Sequence, residues 1–445
     1  MIARIAAVLL ALLPFSAMAA ENVTTFELDN GMTAVVIEDH RAPVVVHMVW
    51  YRVGAADEPA GLSGVAHYLE HLMFKGTDEL APGDFDAIVK ANGGSHNAFT
   101  APDFTGYFQR VAADRLGLMM ELEADRMRDL ALTEEHADTE RGVILEERNQ
   151  RVENEPNALF AEQQRAALYL NHPYGRPVIG WRSEIAELDR EKALDFYRTY
   201  YAPNNATLVV AGDVDPAEVR TLAEAHYGPI APSGDLPPRV RPAEPPHLAE
   251  RRVRYSDPRV AQPYVMRNYL APERNSGDQR RAAALSILAD LLGGSGLTSV
   301  LGEKLQLDAQ IAIATSAYYN PTSYDPTRFG MYVVPADGVS LEEAEAALDR
   351  VLQAFLAEGV DPEQLERVKG QMRAALIYEQ DNLQSLARRY GAALSIGLTV
   401  EDVQSWPEVL QSITADEILA AAEDVFDRQA SVTGWIMRSD QEVTQ

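Results

Sequence analysis

Residues 228 to 248 read GPIAPSGDLPPRVRPAEPPHL, a stretch too rich in proline for a helix or a central strand to pass through it. It falls near the middle of a 445-residue chain, which is too long to close around a single ordinary core. The chain therefore reads as a leader over 1–20, an N-terminal domain over 21–230, a proline-rich linker over 231–250 and a C-terminal domain over 251–445.

Both halves read as α+β. In the first, TTFELDNG turns at Asn30-Gly31 into MTAVVIED, and APVVVHMVWYRV follows as a third strand. Ser63 is placed to cap a helix that runs to Phe74, and a second helix is expected from about 82 to 91. GGSHNAFT and FTGYFQRV read as a strand pair, helices are expected at about 112–129, 133–152 and 156–170, NATLVVAGDV reads as a buried strand, and one more helix covers about 215–226. Beyond the linker the order repeats. YVMRNYL is a strand, helices are expected at 277–292 and 297–305, AQIAIATSAYY pairs with RFGMYVVPA, helices fill 340–427, and SVTGWIM closes as a strand. The expected fold is two homologous domains, each a mostly antiparallel sheet covered by helices.

MIARIAAVLLALLPFSAMAA combines Arg4, a short apolar run, Pro14 and the small-residue site Ala17-Met18-Ala19, the pattern of a cleaved signal peptide. The mature protein is thus expected in the periplasm or outside the cell, with no membrane span. Cysteine is absent, so any metal must sit on His, Asp or Glu. A formal charge of −28, from 67 acidic against 39 basic residues, argues against a nucleic-acid partner.

The motif that carries chemistry is HYLEH, residues 67–71. On a helix His67 and His71 stand one turn apart and aim at the same point, with Glu70 beside it. Two converging imidazoles suit a zinc ion, and a catalytic zinc site takes a third protein ligand and leaves a position for water. The helix TEEHADTERGVILEERNQR offers that ligand. Ala137, Glu140, Ile144 and Glu147 share one face, so two carboxylates lie on an apolar stripe where an acid needs a partner or a cation, whereas Glu146 points elsewhere. His67 and His71 could instead be hydrogen-bonded core histidines, and the helix an acid-rich solvated one.

HYLEH, with a glutamate 76 positions after its second histidine and another seven before that one, resembles the inverted-motif zinc peptidases: pitrilysin, insulin-degrading enzyme and the mitochondrial processing peptidase β subunit. GLSGVAHYLEHLMFKGT, GGSHNAFTAPDFTGYF and ERGVILEE are similar to blocks of the same family, and the likeness runs over the whole mature chain. It implies that His67, His71 and Glu147 ligate zinc. It implies that Glu70 is the general base acting on the attacking water, and that Glu140 is an auxiliary glutamate holding a ligand histidine in place. It also implies that Asn97, Ala98, Phe99 and Thr100 lie on an edge strand to which an unfolded peptide substrate adds as one more strand. His96 is outside the family pattern.

The departures are equally informative. Family members enclose substrate between two halves, and the second half supplies an arginine and a tyrosine seven positions apart. This chain is one half long, and its nearest stretch, LGEKLQLDAQ, carries Gly302 and Ala309 at those positions. The expectation is a zinc endopeptidase subunit, paired with a homologous secreted chain that carries the Arg and Tyr, a homodimer being less favoured. The alternative is a structural or peptide-binding core subunit of the same fold. Metal-independent chemistry by Glu70 and Glu147 leaves the two histidines without a role.

Overall fold

The computed structural model describes residues 22–439 except 235 and 295, and the expected leader lies outside the described residues. The N-terminal half contributes β1 (Val23–Glu27), β2 (Thr33–Glu38), β3 (Val44–Tyr51), β4 (Ser95–Thr100), β5 (Thr105–Ala112) and β6 (Ala206–Gly212). The C-terminal half contributes β7 (Arg251–Ser256), β8 (Tyr264–Ala271), β9 (Ala312–Tyr319), β10 (Thr327–Pro335) and β11 (Val432–Met437).

The first sheet has the order β1-β2-β6-β3-β5-β4 and the second β7-β11-β8-β10-β9. In each, one parallel pair (β2 with β6, β7 with β11) interrupts an otherwise antiparallel ladder, so the second sheet repeats the first without its outermost strand. The expected pairings of β1 with β2, β4 with β5 and β9 with β10 are all present. β7 was not anticipated, because RRVRYS offers alternation with hardly any apolar residue.

The helices of the first half are α1 (Val65–Leu72), α2 (Asp84–Ala91), α3 (Leu116–Arg128), α4 (Glu134–Arg148), α5 (Pro156–Leu168), α6 (Arg182–Ile185), α7 (Arg190–Tyr200) and α8 (Pro216–His226). Those of the second are α9 (Arg280–Ala289), α10 (Leu341–Glu358), α11 (Pro362–Glu379), α12 (Leu383–Ser395), α13 (Val400–Ser412) and α14 (Ala415–Val425). Residues 297–305, expected to be one helix, instead form a 3-10 turn (Gly296–Thr298) and, further on, a wide π-type turn (Gly302–Asp308). α6, of four residues, is too short to show a helical stripe, and α7 was missed although Ala193, Leu194, Phe196 and Tyr197 recur at helical spacing behind the Asp189 cap.

Each domain covers one face of its own sheet with its own helices and borrows cover for the other. α12, from the C-terminal half, lays Leu386, Ala387, Tyr390 and Ala393 on the N-terminal sheet, against Val35, Val46, Met48, Trp50 and Val209. Reciprocally, α5 lays Phe160 and Gln164 on the C-terminal sheet beside Ile436 and Met266. Both contacts are close enough to require glycine. A Cβ on Gly391 would lie 2.1 Å from the Trp50 ring, and one on Gly434 2.0 Å from the Gln164 amide.

The proline-rich segment has neither helix nor strand yet is bound at several points. Arg241 bonds Asp57, Asp103 and Asp325, Arg239 bonds Asp57, and the Glu244 carboxylate accepts the backbone N–H groups of Leu170, Asn171 and His172.

Candidate metal centre

α1 is short, so its first turn must find partners for free backbone N–H groups. Ser63 was expected to cap it, but the N-cap is Gly64 and the Ser63 hydroxyl instead accepts the Trp181 N–H. The cap is supplied from upstream. The buried Glu58 carboxylate accepts the N–H of Gly64 at 3.0 Å and that of Ala66 at 2.9 Å. Burial pushes the Glu58 carboxyl up to about 8, even though these two N–H groups pull it down.

From α1, His67 and His71 point toward α4, which lies against it. The Nε2 atoms of His67 and His71 stand 3.7 and 3.5 Å from one Glu147 oxygen, and among the described residues these three side chains form a group able to hold a metal ion. Those separations are too long for hydrogen bonds. They suit ligands about 2.0–2.1 Å from one tetrahedral ion, which sit about 3.4 Å apart. The donor set of two imidazoles and a carboxylate therefore fits zinc in chemistry, with each imidazole near that spacing from the carboxylate and all three ligand atoms within 4.8 Å of one another.

Around this point each group has a distinct environment. Burial, with His71 and Arg151 adding to it, holds the His67 imidazole down to about 3, so it stands neutral with a free lone pair. Burial would lower His71 too, but its bond to Glu140 and the nearby Glu147 and Glu70 outweigh this and raise it. The Glu140 carboxylate lies 3.2 Å from His71 Nδ1 and 2.5 Å from Lys75 Nζ. Burial raises Glu140, but those two partners win and hold it low. The Nδ1 atom of His67 is buried with no partner among the described residues.

Glu70 is on the same helix, buried, and touches β4. Its Oε2 accepts the Thr100 hydroxyl at 2.6 Å, and burial raises its carboxyl despite that bond. β4 is the outer strand of the sheet, bonded only to β5, and Asn97 to Thr100 line a cleft of 580 Å³ together with His67, Glu70, His71 and Glu147. All nine residues singled out in the sequence thus border one place except Glu140, which stands behind His71. Glu146 is exposed and bonds Asn149 and Gln150, on the far side of α4.

Two cations were missed. Lys75 grips Glu140, and Arg151 reaches the second Glu147 oxygen at 2.7 Å. Both stand four positions after a site residue, so helix spacing carried the signal. The Gly302 and Ala309 positions lie at the wide turn of the C-terminal half. A Cβ on Gly302 would be 2.2 Å from the Gly296 carbonyl oxygen, so the backbone there excludes an arginine outright.

Comparisons with known proteins show the family and the fold. The model "Insulinase (Peptidase family M16)" matches residues 33–181 and "Peptidase M16 inactive domain" matches 187–372. The zinc protease PqqE of Helicobacter pylori is 28% identical over 93% of this chain and 91% of its own. A crystal structure of a protease from Helicobacter pylori superposes with a TM-score of 0.86 at 26% identity, over 94% of this chain and 99% of that one. The periplasmic protease PqqL of Escherichia coli shares the fold, with a TM-score of 0.80 at 21% identity, over 95% of this chain but 48% of that one. With matches to both halves of the family's domain pair and a whole-length likeness to its solved members, the chain belongs to peptidase family M16, as a half-length member.

Proposed function

We propose that the chain is the zinc-bearing catalytic subunit of a secreted endopeptidase that hydrolyses unfolded peptides. The observation that carries this reading is the meeting of His67, His71 and Glu147 around one point, with Glu70 beside them and an edge strand along the same cleft. A zinc ion held by those three residues would supply Lewis acidity toward the scissile carbonyl and ease loss of a proton from water near neutral pH. Glu70 takes that proton as the water oxygen adds to the carbonyl carbon, and returns it to the amine as the C–N bond breaks. Its raised affinity for a proton, a consequence of burial, suits a group that must hold one briefly. β4, an edge strand whose Ala98 N–H is, among the described residues, held only by the neighbouring Asn97 side chain, offers its outer backbone groups to an extended peptide, so unfolded chains are the expected substrates. Glu140 fixes the ring of His71, and Lys75 keeps Glu140 charged for that task.

The Arg and Tyr of the family's second half have no counterpart at Gly302 and Ala309. We therefore propose that a homologous secreted chain supplies them across a closed chamber. That the chain spans about half of PqqL supports such pairing, and the description of PqqL as periplasmic supports the expected location. Among the described residues no helix is long and apolar enough to cross a membrane.

The non-catalytic reading draws on the family's inactive-domain model, which covers mainly the C-terminal half, where no histidine motif lies. Metal analysis of the purified chain, combined with chelator sensitivity of unstructured-peptide cleavage by the chain together with its homologous partner, separates the two. The peptidase reading expects about one zinc per chain and cleavage abolished by chelation and restored by zinc. A metal-free chain, or cleavage indifferent to chelator, overturns it.

A further inference from the structure

A second cleft, of 310 Å³, opens where the strand β4 ends, at Ala101 to Phe104, and Val178 lines both it and the metal-centre cleft. Two arginines face it from different domains: Arg165 on α5 and Arg328 on β10. Among the described residues neither guanidinium has a hydrogen bond or an ion pair, and Arg328 merely lies over the Tyr318 ring at 5.3 Å. Both are half-buried. Burial, then the like charge of Arg328, weakens the hold of Arg165 on its proton, so the pair stands together at a cost.

Shortage of acids does not explain this, in a chain with 67 acidic and 39 basic residues. The one carboxylate lining the cleft, Asp103, is already taken by Arg241 and the Tyr174 hydroxyl. Glu162, also near Arg165, is bonded to Arg148. The hydroxyls of Tyr169 and Tyr318 donate elsewhere, to the Pro326 carbonyl and to Asn268. What remains is a pair of forked donors, held by packing across the domain seam, with room in front of them for a carboxylate.

We propose that Arg165 and Arg328 form a subsite for a carboxylate of the bound peptide, an acidic side chain or the C-terminus, where the peptide runs past the end of β4. The proposal rests on the reading of β4 as the substrate-bearing strand. It adds a specificity that the metal centre does not have, because the ligands and Glu70 act on the peptide bond itself. An acidic peptide is otherwise disfavoured by the −28 charge of the chain, so a preference for one is diagnostic.

The test measures binding to the Glu70→Gln protein, which leaves the probe uncut. The probes are fluorescent unstructured peptides in three forms: one glutamate with an amidated C-terminus, glutamine in its place with the amide, and glutamine with a free C-terminal carboxylate. The glutamate is moved along the peptide to find the register. At one register the glutamate form, or the free acid for the terminal source, should bind about 10-fold more tightly than the neutral form, the scale of hydrogen bonds to a charged group. Arg165→Gln and Arg328→Gln should each remove that advantage, weaken it no further with added salt, and leave affinity for the neutral peptide unchanged. Equal binding of all three forms, or an advantage that survives in both arginine variants, overturns the subsite. Failure of the peptidase reading would show separately, as wild-type protein that binds no zinc, or that cuts nothing even with a homologous partner chain added.

Discussion

Glu70 and His71 are neighbours in the chain, but Glu70 touches the Thr100 hydroxyl on the edge strand β4 while His71 is backed by Glu140 and Lys75. The difference separates their variants. Glu70→Gln is expected to keep about one zinc per chain, measured by elemental analysis, while kcat falls at least ~100-fold, the low end of general acid–base contributions. His67→Ala, His71→Ala and Glu147→Gln should each lose zinc itself. Glu140→Gln and Lys75→Met should weaken zinc binding by about 10- to 100-fold, as changes behind a ligand do. Zinc content unaffected by Glu147→Gln but lost in Glu146→Gln would move the ligand by one residue and refute the assignment. At this scale helix periodicity made most of the site legible, since a separation of four aligns His67 with His71 and one of seven, two turns, aligns Glu140 with Glu147. It said nothing of the Thr100 contact with Glu70, which needs β4 folded back beside α1.

Among the elements, α1 depends on a cap that local sequence does not advertise. Glu58 lies outside the usual N-cap position and reaches the helix only because Ala55–Asp57 turns the chain beneath it. Glu58→Ala should cost about 0.5–2 kcal/mol in a urea titration and weaken zinc binding as α1 loosens. β3 carries a second dependence. His47 is buried between Gln109 and Tyr227, and burial, against the opposing pull of Glu123, holds its imidazole below the ordinary value of 6.5. The unfolded chain binds that proton more readily, so the contribution of His47 is fully present above 6.5 and is lost as pH falls below it. Comparing unfolding at about pH 7.5 and 5.5, on either side of the usual imidazole value, His47→Gln should show a smaller loss than the parent. The strands β1 to β6 and most helices were readable from alternation and caps; β7 and α6 carry too few apolar residues to show a pattern, whereas α7 carries one that was overlooked.

Across the whole molecule the decisive feature is the exchange of α5 and α12. Without α12 the N-terminal sheet would expose Val35, Val46, Met48, Trp50 and Val209, so residues 21–230 alone should aggregate or unfold, and the intact chain should melt in one calorimetric transition. Gly391→Val should lower stability by about 1–3 kcal/mol, the usual cost of overpacking, by driving a side chain into Trp50. Two resolved transitions, with the N-terminal half persisting alone, would refute this coupling. The sequence by itself determined the two α+β halves and the pairing of His67 with His71 and of Glu140 with Glu147 on their helix faces, because these depend on periodicities and spacings within single elements. Tertiary structure alone decided the borrowed helices, the cap from Glu58, the ion pairs of the linker arginines and the facing of Arg165 with Arg328. Each of these joins residues far apart in the chain whose proximity is set by packing, and no local pattern records which distant surface an element will cover.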